Sequence, residues 1–162
     1  MSGAMTSRTS NGAAAATVET TTNKVNYRVL DFDASSIEYA QFMIPMPKSW
    51  DEGTVTVQFL WRVASGTGSV VWAARAVAIS DDDLADVAFG TAGSVTDAVT
   101  ATTDVMISSF TSAITIAGSP AAEDLVCFEV YRDATNGSDT LTTDARLIGI
   151  RIKYTTHAKD DA

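Results

Sequence analysis

The 162 residues contain one cysteine, one histidine and three prolines. A lone Cys127 excludes an internal disulfide framework. It sits in the apolar run Leu125–Phe128 and reads as a small buried hydrophobe. His157 lies in the polar tail Thr155–Asp160, so a Cys–His nucleophile pair would have no third group to orient its base. Basic residues are scarce, 11 Lys and Arg against 20 Asp and Glu, for a net charge of −9. That balance argues against nucleic-acid binding, which requires a basic face. No apolar run approaches the roughly 18–20 residues that span a bilayer. Ala13–Ala16 is too short and too weakly apolar for a signal-peptide core, so the expectation is synthesis in the cytoplasm. No serine sits in a G-x-S-x-G elbow. Gly66-x-Gly68 joins two strand-like runs, which does not support a phosphate loop. No cofactor, metal or catalytic site is expected, and the chain does not read as an enzyme.

Hydrophobic residues make up 46% of the chain, and the length suits a single folded domain. Residues 1–24 form a separate compositional unit of Ala, Thr, Ser, Asn and Gly, with Arg8 and Lys24 against Glu19 for a net +1. The remaining body therefore carries −10. Such a segment has too little apolar area to offset its ordering entropy alone. It reads as an extended or flexible arm, with residues 25–162 as a single domain. Fully extended, the arm would reach roughly 80 Å, enough to cross a neighbouring subunit.

From Val25 onward the apolar residues recur with period two. Runs at 25–32 and 37–46 precede a corner carrying Pro45, Pro47 and Trp50 and an Asp51-Glu52-Gly53 turn. The clearest alternation is Thr54–Ala64, with Val55, Val57, Phe59, Trp61 and Val63 on one face. Ser65–Ser69 suggests a hairpin into Val70–Ile79, which is apolar on both sides except for Arg75. Ser80 before Asp81-Asp82-Asp83 suggests a short capped helix. Weaker strands are expected at 94–100, 104–109 and 112–117. Strong ones are expected at 123–132 and 146–155, the last with Ile148, Ile150, Ile152 and Tyr154 sharing a face. About eight or nine strands with turns between them and little helix indicate an all-β, antiparallel β-sandwich, jelly-roll-like. An immunoglobulin-like sandwich is the alternative, although the Cys…Trp…Cys spacing is missing.

The acidic run Asp81–Asp86 lacks the spacing of an EF-hand loop and reads as a solvated acidic helix start, with cation binding left open. Asp31, Asp33 and Glu38 flank a turn and have no partner acid identifiable by position. Trp61 and Trp72 read as core. Trp50 either closes the sandwich end or faces a partner. An exposed aromatic row would favour sugar binding, and Trp50, Tyr39 and Tyr131 are the aromatics that could form one. The residues singled out as a candidate interface are Thr17, Val18, Thr21, Tyr39, Met46 and Trp50.

The blocks DFDAS, EYAQF, IPMPKSWDEGTVTVQF, VVWAARAVAIS, AFGTA, SAITIAG, VYRDA, DTL and DARLIGIRIKYTT, over Tyr27–Ala162, resemble a group of small bacteriophage-encoded virion structural proteins. The resemblance implies a structural role and brings no catalytic residues with it. On it rest three expectations. The first is a homotrimeric capsid decoration (cement) protein that contacts the major capsid protein on the virion surface, with no nucleic-acid or membrane partner. The second is a receptor- or carbohydrate-binding head of a phage fibre, with a host glycan as partner. The third, a glycan hydrolase, lacks its motifs.

Overall fold

The computed structural model describes residues 4–157. Ten strands run in chain order: β1 (Thr6–Ser7), β2 (Ala14–Glu19), β3 (Asn26–Phe32), β4 (Tyr39–Pro45), β5 (Thr56–Val63), β6 (Ser69–Ile79), β7 (Gly93–Ala98), β8 (Met106–Ile107), β9 (Leu125–Arg132) and β10 (Ala145–Lys153). They form two five-stranded antiparallel sheets, ordered β1-β4-β9-β6-β7 (sheet A) and β2-β3-β10-β5-β8 (sheet B). The described residues contain no α-helix. The inner faces pack on each other, as period-two alternation demands of a sandwich.

The core centres on Trp72 of β6. Its ring stacks on Phe59 at 5.2 Å and meets Phe32 edge-on at 5.3 Å and Trp61 edge-on at 6.0 Å, all three from sheet B. Ala74, Ala76 and Ala78 follow Trp72 along the inward side of β6 and are all buried. Small residues there leave room for the large side chains opposite, in keeping with close packing. β5 buries Val57, Phe59, Trp61 and Val63, as its alternation predicts. Trp50 is fully buried and closes the end of the sandwich, its backbone bridged to Thr156.

Residues 1–24 do not stand apart from the body where they are described. β1 pairs with β4 in sheet A, and β2 pairs with β3 in sheet B along six residues. Ala13, between them, is buried in the core. A segment poor in apolar side chains is held here by ladder hydrogen bonds, because an edge strand needs a neighbour more than it needs a core of its own.

Four sequence expectations change. The Ser65–Ser69 stretch is not a hairpin: β5 and β6 lie in different sheets, and the loop carries the chain between them. Gly66 (φ 96°) and Gly68 (φ 131°) permit this turn, and a Cβ on Gly68 would lie 2.8 Å from the Thr140 carbonyl oxygen. The Ser80 helix does not form. Instead the Ser80 N–H donates to Asp83 Oδ2 at 2.9 Å, and Asp82 adopts φ 65°, which ends any helical run. The strand expected over 112–117 reduces to isolated bridges of Ile114 to Val55 and Ala117 to Val77, and that over 104–109 to two residues. Along the edge of β5 that faces β8, the Ser108 and Thr111 hydroxyl oxygens accept from the Phe59 and Val57 N–H groups at 3.0 and 3.1 Å. Side-chain oxygens thus replace carbonyls and interrupt a regular ladder. Finally, β10 bulges between Leu147 and Gly149. Leu147 pairs with Trp61 and Ile150 with Phe59, so Ile148 does not share the inner face with Ile150 and Ile152.

Candidate functional site

The chemistry-bearing residues gather on the outer face of sheet A. Strand register sets two neighbouring rungs across it. One runs Tyr39–Tyr131–Ala73–Ser94 and the next Thr6–Gln41–Glu129–Arg75. Side chains at positions two apart on a strand share a face, so both rungs point outward while Phe42, Phe128 and Val130 point into the core.

Glu129 is fully buried although it is on the outer face. Its Oε1 accepts from Arg75 Nε at 2.8 Å and also from Arg75 Nη2. Its Oε2 accepts from Gln41 Nε2 at 2.7 Å and from Arg8 Nη1 at 3.5 Å. Both Arg75 donors converge on one oxygen, a charge-assisted contact that leaves the other oxygen to Gln41 and Arg8. One carboxylate faces two guanidinium groups here. Both arginine side chains remain about a third exposed, at 35% for Arg8 and 32% for Arg75.

Aromatic rings surround the cluster. Tyr39 and Tyr131 lie 5.3 Å apart and tilted by 47°. Arg8 sits over the Tyr39 ring at 4.4 Å. Arg75 lies 5.0 Å from the Phe89 centroid, 5.7 Å from that of Tyr39 and 6.0 Å from that of Tyr131. Burial raises the Tyr131 phenol above its usual range, partly offset by the Arg75 charge, so it stays a neutral hydroxyl at physiological pH. The assembled face offers partly exposed aromatic rings, guanidinium groups and a carboxamide, fixed by a buried carboxylate. Such a face can stack an apolar ring surface and hydrogen-bond hydroxyl groups around it.

Of the residues singled out in the sequence, Tyr39 lies in this site. Met46 and Trp50 are buried in the core and cannot form an interface. Thr17 and Val18 lie on β2 at the edge of sheet B, and Thr21 in the turn after it. Asp33 Oδ1 accepts from the backbone and hydroxyl groups of Ser35 and Ser36, which holds its carboxyl well below the usual range. Glu38 accepts from the Asp33 N–H at 2.9 Å, so these two acids shape the β3–β4 turn. Residues 81–86 are exposed, and no metal-holding cluster of acids occurs among the described residues. The Cys127 thiol is raised mainly by burial, which makes it a poor nucleophile.

Sequence reasoning missed Arg8, Gln41, Arg75 and Glu129 as a group. The available signal was a single charge within each of two apolar runs, Arg75 in β6 and Glu129 in β9. Cross-strand register, which pairs those two positions, is a property of the fold.

No protein-family model matches the chain, and no curated protein matches it. Solved structures do resemble it. The CBM22-2 xylan-binding domain from Paenibacillus barcinonensis Xyn10C superposes with a TM-score of 0.50 at 12% identity, covering 94% of this chain and 92% of that one. The family 11 carbohydrate-binding module from Clostridium thermocellum, in complex with a β-1,3-1,4-mixed-linked tetrasaccharide, gives a TM-score of 0.48 at 8% identity, covering 96% and 91%. TmCBM61 in complex with β-1,4-galactotriose gives 0.44 at 13% identity, covering 93% and 87%. Together with the two antiparallel sheets, the fold is that of a jelly-roll β-sandwich.

Proposed function

We propose that this protein is a non-catalytic, carbohydrate-binding β-sandwich and that the outer face of sheet A is its glycan platform. The observation that carries this reading is the Tyr39–Tyr131 pair set beside the Arg75–Glu129–Gln41 cluster on the outer face of sheet A. A buried, fully engaged carboxylate fixes the donors before a ligand arrives, which lowers the ordering cost of binding. Neighbours of the same fold, among them a xylan-binding domain, make such a role consistent with the architecture, though fold does not by itself decide function. Combined with the resemblance to bacteriophage virion proteins, the reading becomes the receptor-binding head of a fibre, displayed on the virion and directed at a host glycan.

The test is affinity electrophoresis or a glycan array, followed by calorimetry on whatever binds. Tyr39→Ala and Tyr131→Ala are each expected to weaken binding at least about tenfold, roughly 1.4 kcal/mol. Both rings lie outside the core, so the melting transition should move little. Unchanged affinity in both variants would remove this face from consideration.

A second reading, a homotrimeric capsid decoration protein on the major capsid protein, is favoured by the virion resemblance and by the exposed apolar side chains of Val105, Ile107 and Phe110. Light scattering of the free protein and co-sedimentation with assembled capsids separate the two. A trimer that pellets with capsids and ignores glycans supports decoration. A monomer that binds glycans supports the platform.

A further inference from the structure

A second concavity lies on the other side of the molecule, in sheet B. It is a cleft of about 470 Å3 between the β2–β3 turn and the segment that leads into β8. Its lining includes Thr20, Thr21, Asn23, Tyr27, Arg62 and Thr103. That volume falls within the range of small-molecule sites, roughly 300–1,000 Å3. Val18 and Thr21, singled out in the sequence as interface residues, both line it.

The informative group is Arg62. Its Nε is buried with no hydrogen-bond partner. Among the described residues no carboxylate or carbonyl accepts from its guanidinium, and its recorded contact is the Tyr27 ring, 5.7 Å from Cζ. Its cross-strand neighbour Arg146 is paired with Asp31 at 3.4 Å. Glu19, at the rim, is paired with Lys24 at 3.2 Å. A buried N–H without an acceptor is costly unless something supplies one. This one opens onto a cleft walled mainly by threonine hydroxyls, with the Asn23 carboxamide, the Tyr27 ring, two valines and the Glu19 carboxylate, whose charge Lys24 offsets.

We propose that this cleft binds an acidic sugar, with Arg62 taking its carboxylate. A carboxylate matches the planar fork of a guanidinium. The threonine hydroxyls and Asn23 match the hydroxyl groups of a pyranose, and Tyr27 offers a ring for its C–H face. A simple anion would use only the first of these features, and an acidic peptide would present few C–H faces of ring shape to Tyr27. The site is separate from the sheet A platform and does not depend on it.

The experiment is an NMR titration of the full-length protein, following the amides of residues 20–25, Tyr27 and Thr103, with D-glucuronate, D-glucose, acetate and an acidic peptide as probes. Saturable shifts are expected with glucuronate, and at least tenfold weaker ones with glucose and with acetate. Arg62→Gln should weaken glucuronate at least tenfold, and Arg62→Lys less. The wild-type comparison decides the matter even if an Arg62 variant folds poorly. Absence of glucuronate shifts, equal response to acetate, tighter binding of the peptide, or unchanged affinity in a folded Arg62→Gln would each overturn the proposal.

Discussion

Replacing Asp139 with alanine is expected to destabilise the protein by about 3–5 kcal/mol, the range for stripping a partner from a buried ion pair. Arg132 is fully buried, and its Nε and Nη2 donate to the two oxygens of Asp139 at 3.0 and 2.7 Å. Its remaining donors go to the carbonyls of Thr143 at 2.8 Å, Phe32 at 3.4 Å and Leu141. All five guanidinium N–H groups therefore have an acceptor, which makes the pair tolerable in a core. Asp139 also accepts from the Val71 N–H at 3.0 Å, so the substitution orphans a β6 donor as well. Through these bonds one residue ties the loop after β9 to both sheets. Urea denaturation of wild type, Asp139→Ala and an Arg132→Met/Asp139→Leu double variant would measure it. The double variant is expected to be less destabilised than the single one, because it buries no uncompensated charge. A loss below about 1 kcal/mol in the single variant would mean that water reaches the guanidinium and the pair is not truly buried.

Trp61→Ala should cost a similar amount, about 3–5 kcal/mol, for emptying a large aromatic site in a packed core. Trp61 is fully buried, meets Trp72 edge-on at 6.0 Å and donates from Nε1 to Asp97 at 2.7 Å. For a domain of this size the loss corresponds to a drop in melting temperature on the order of 6–20 °C. Trp61→Phe separates the two contributions. It keeps most of the ring and loses the hydrogen bond to Asp97, so it should fall well short of the alanine effect. A melting temperature unchanged by Trp61→Ala would mean that β5 presents its other face to the core.

How much of this was legible beforehand differs from segment to segment. β5 and the inner side of β6 could be read directly, because period-two alternation and a both-sided apolar run leave few alternatives. The 65–69 loop could not be read correctly. Its glycines mark a turn, but the same signal serves a hairpin and a crossing between sheets, and only the partners of β5 and β6 separate these. The bulge at Ile148 shifts the face of half a strand without any residue that announces it. The Ala- and Thr-rich start looked independent because composition measures what a segment can bury, whereas β2 is held by its backbone ladder to β3.

The sequence by itself determined the class of the protein: all-β, antiparallel, acidic, and without the residue spacings of a disulfide scaffold or a recognised catalytic motif. Those properties follow from local periodicity and residue counts, which need no partner strand to be read. The tertiary structure alone decided where function could reside. Arg75 and Glu129 are 54 residues apart, and Tyr39 and Tyr131 are distant too, yet antiparallel register sets each pair side by side on one outer face. Arg62 and Tyr27, which reach across sheet B to the same cleft, are likewise joined only by the fold. Pairing over such separations depends on which strands neighbour one another, and that choice is made by the whole core at once.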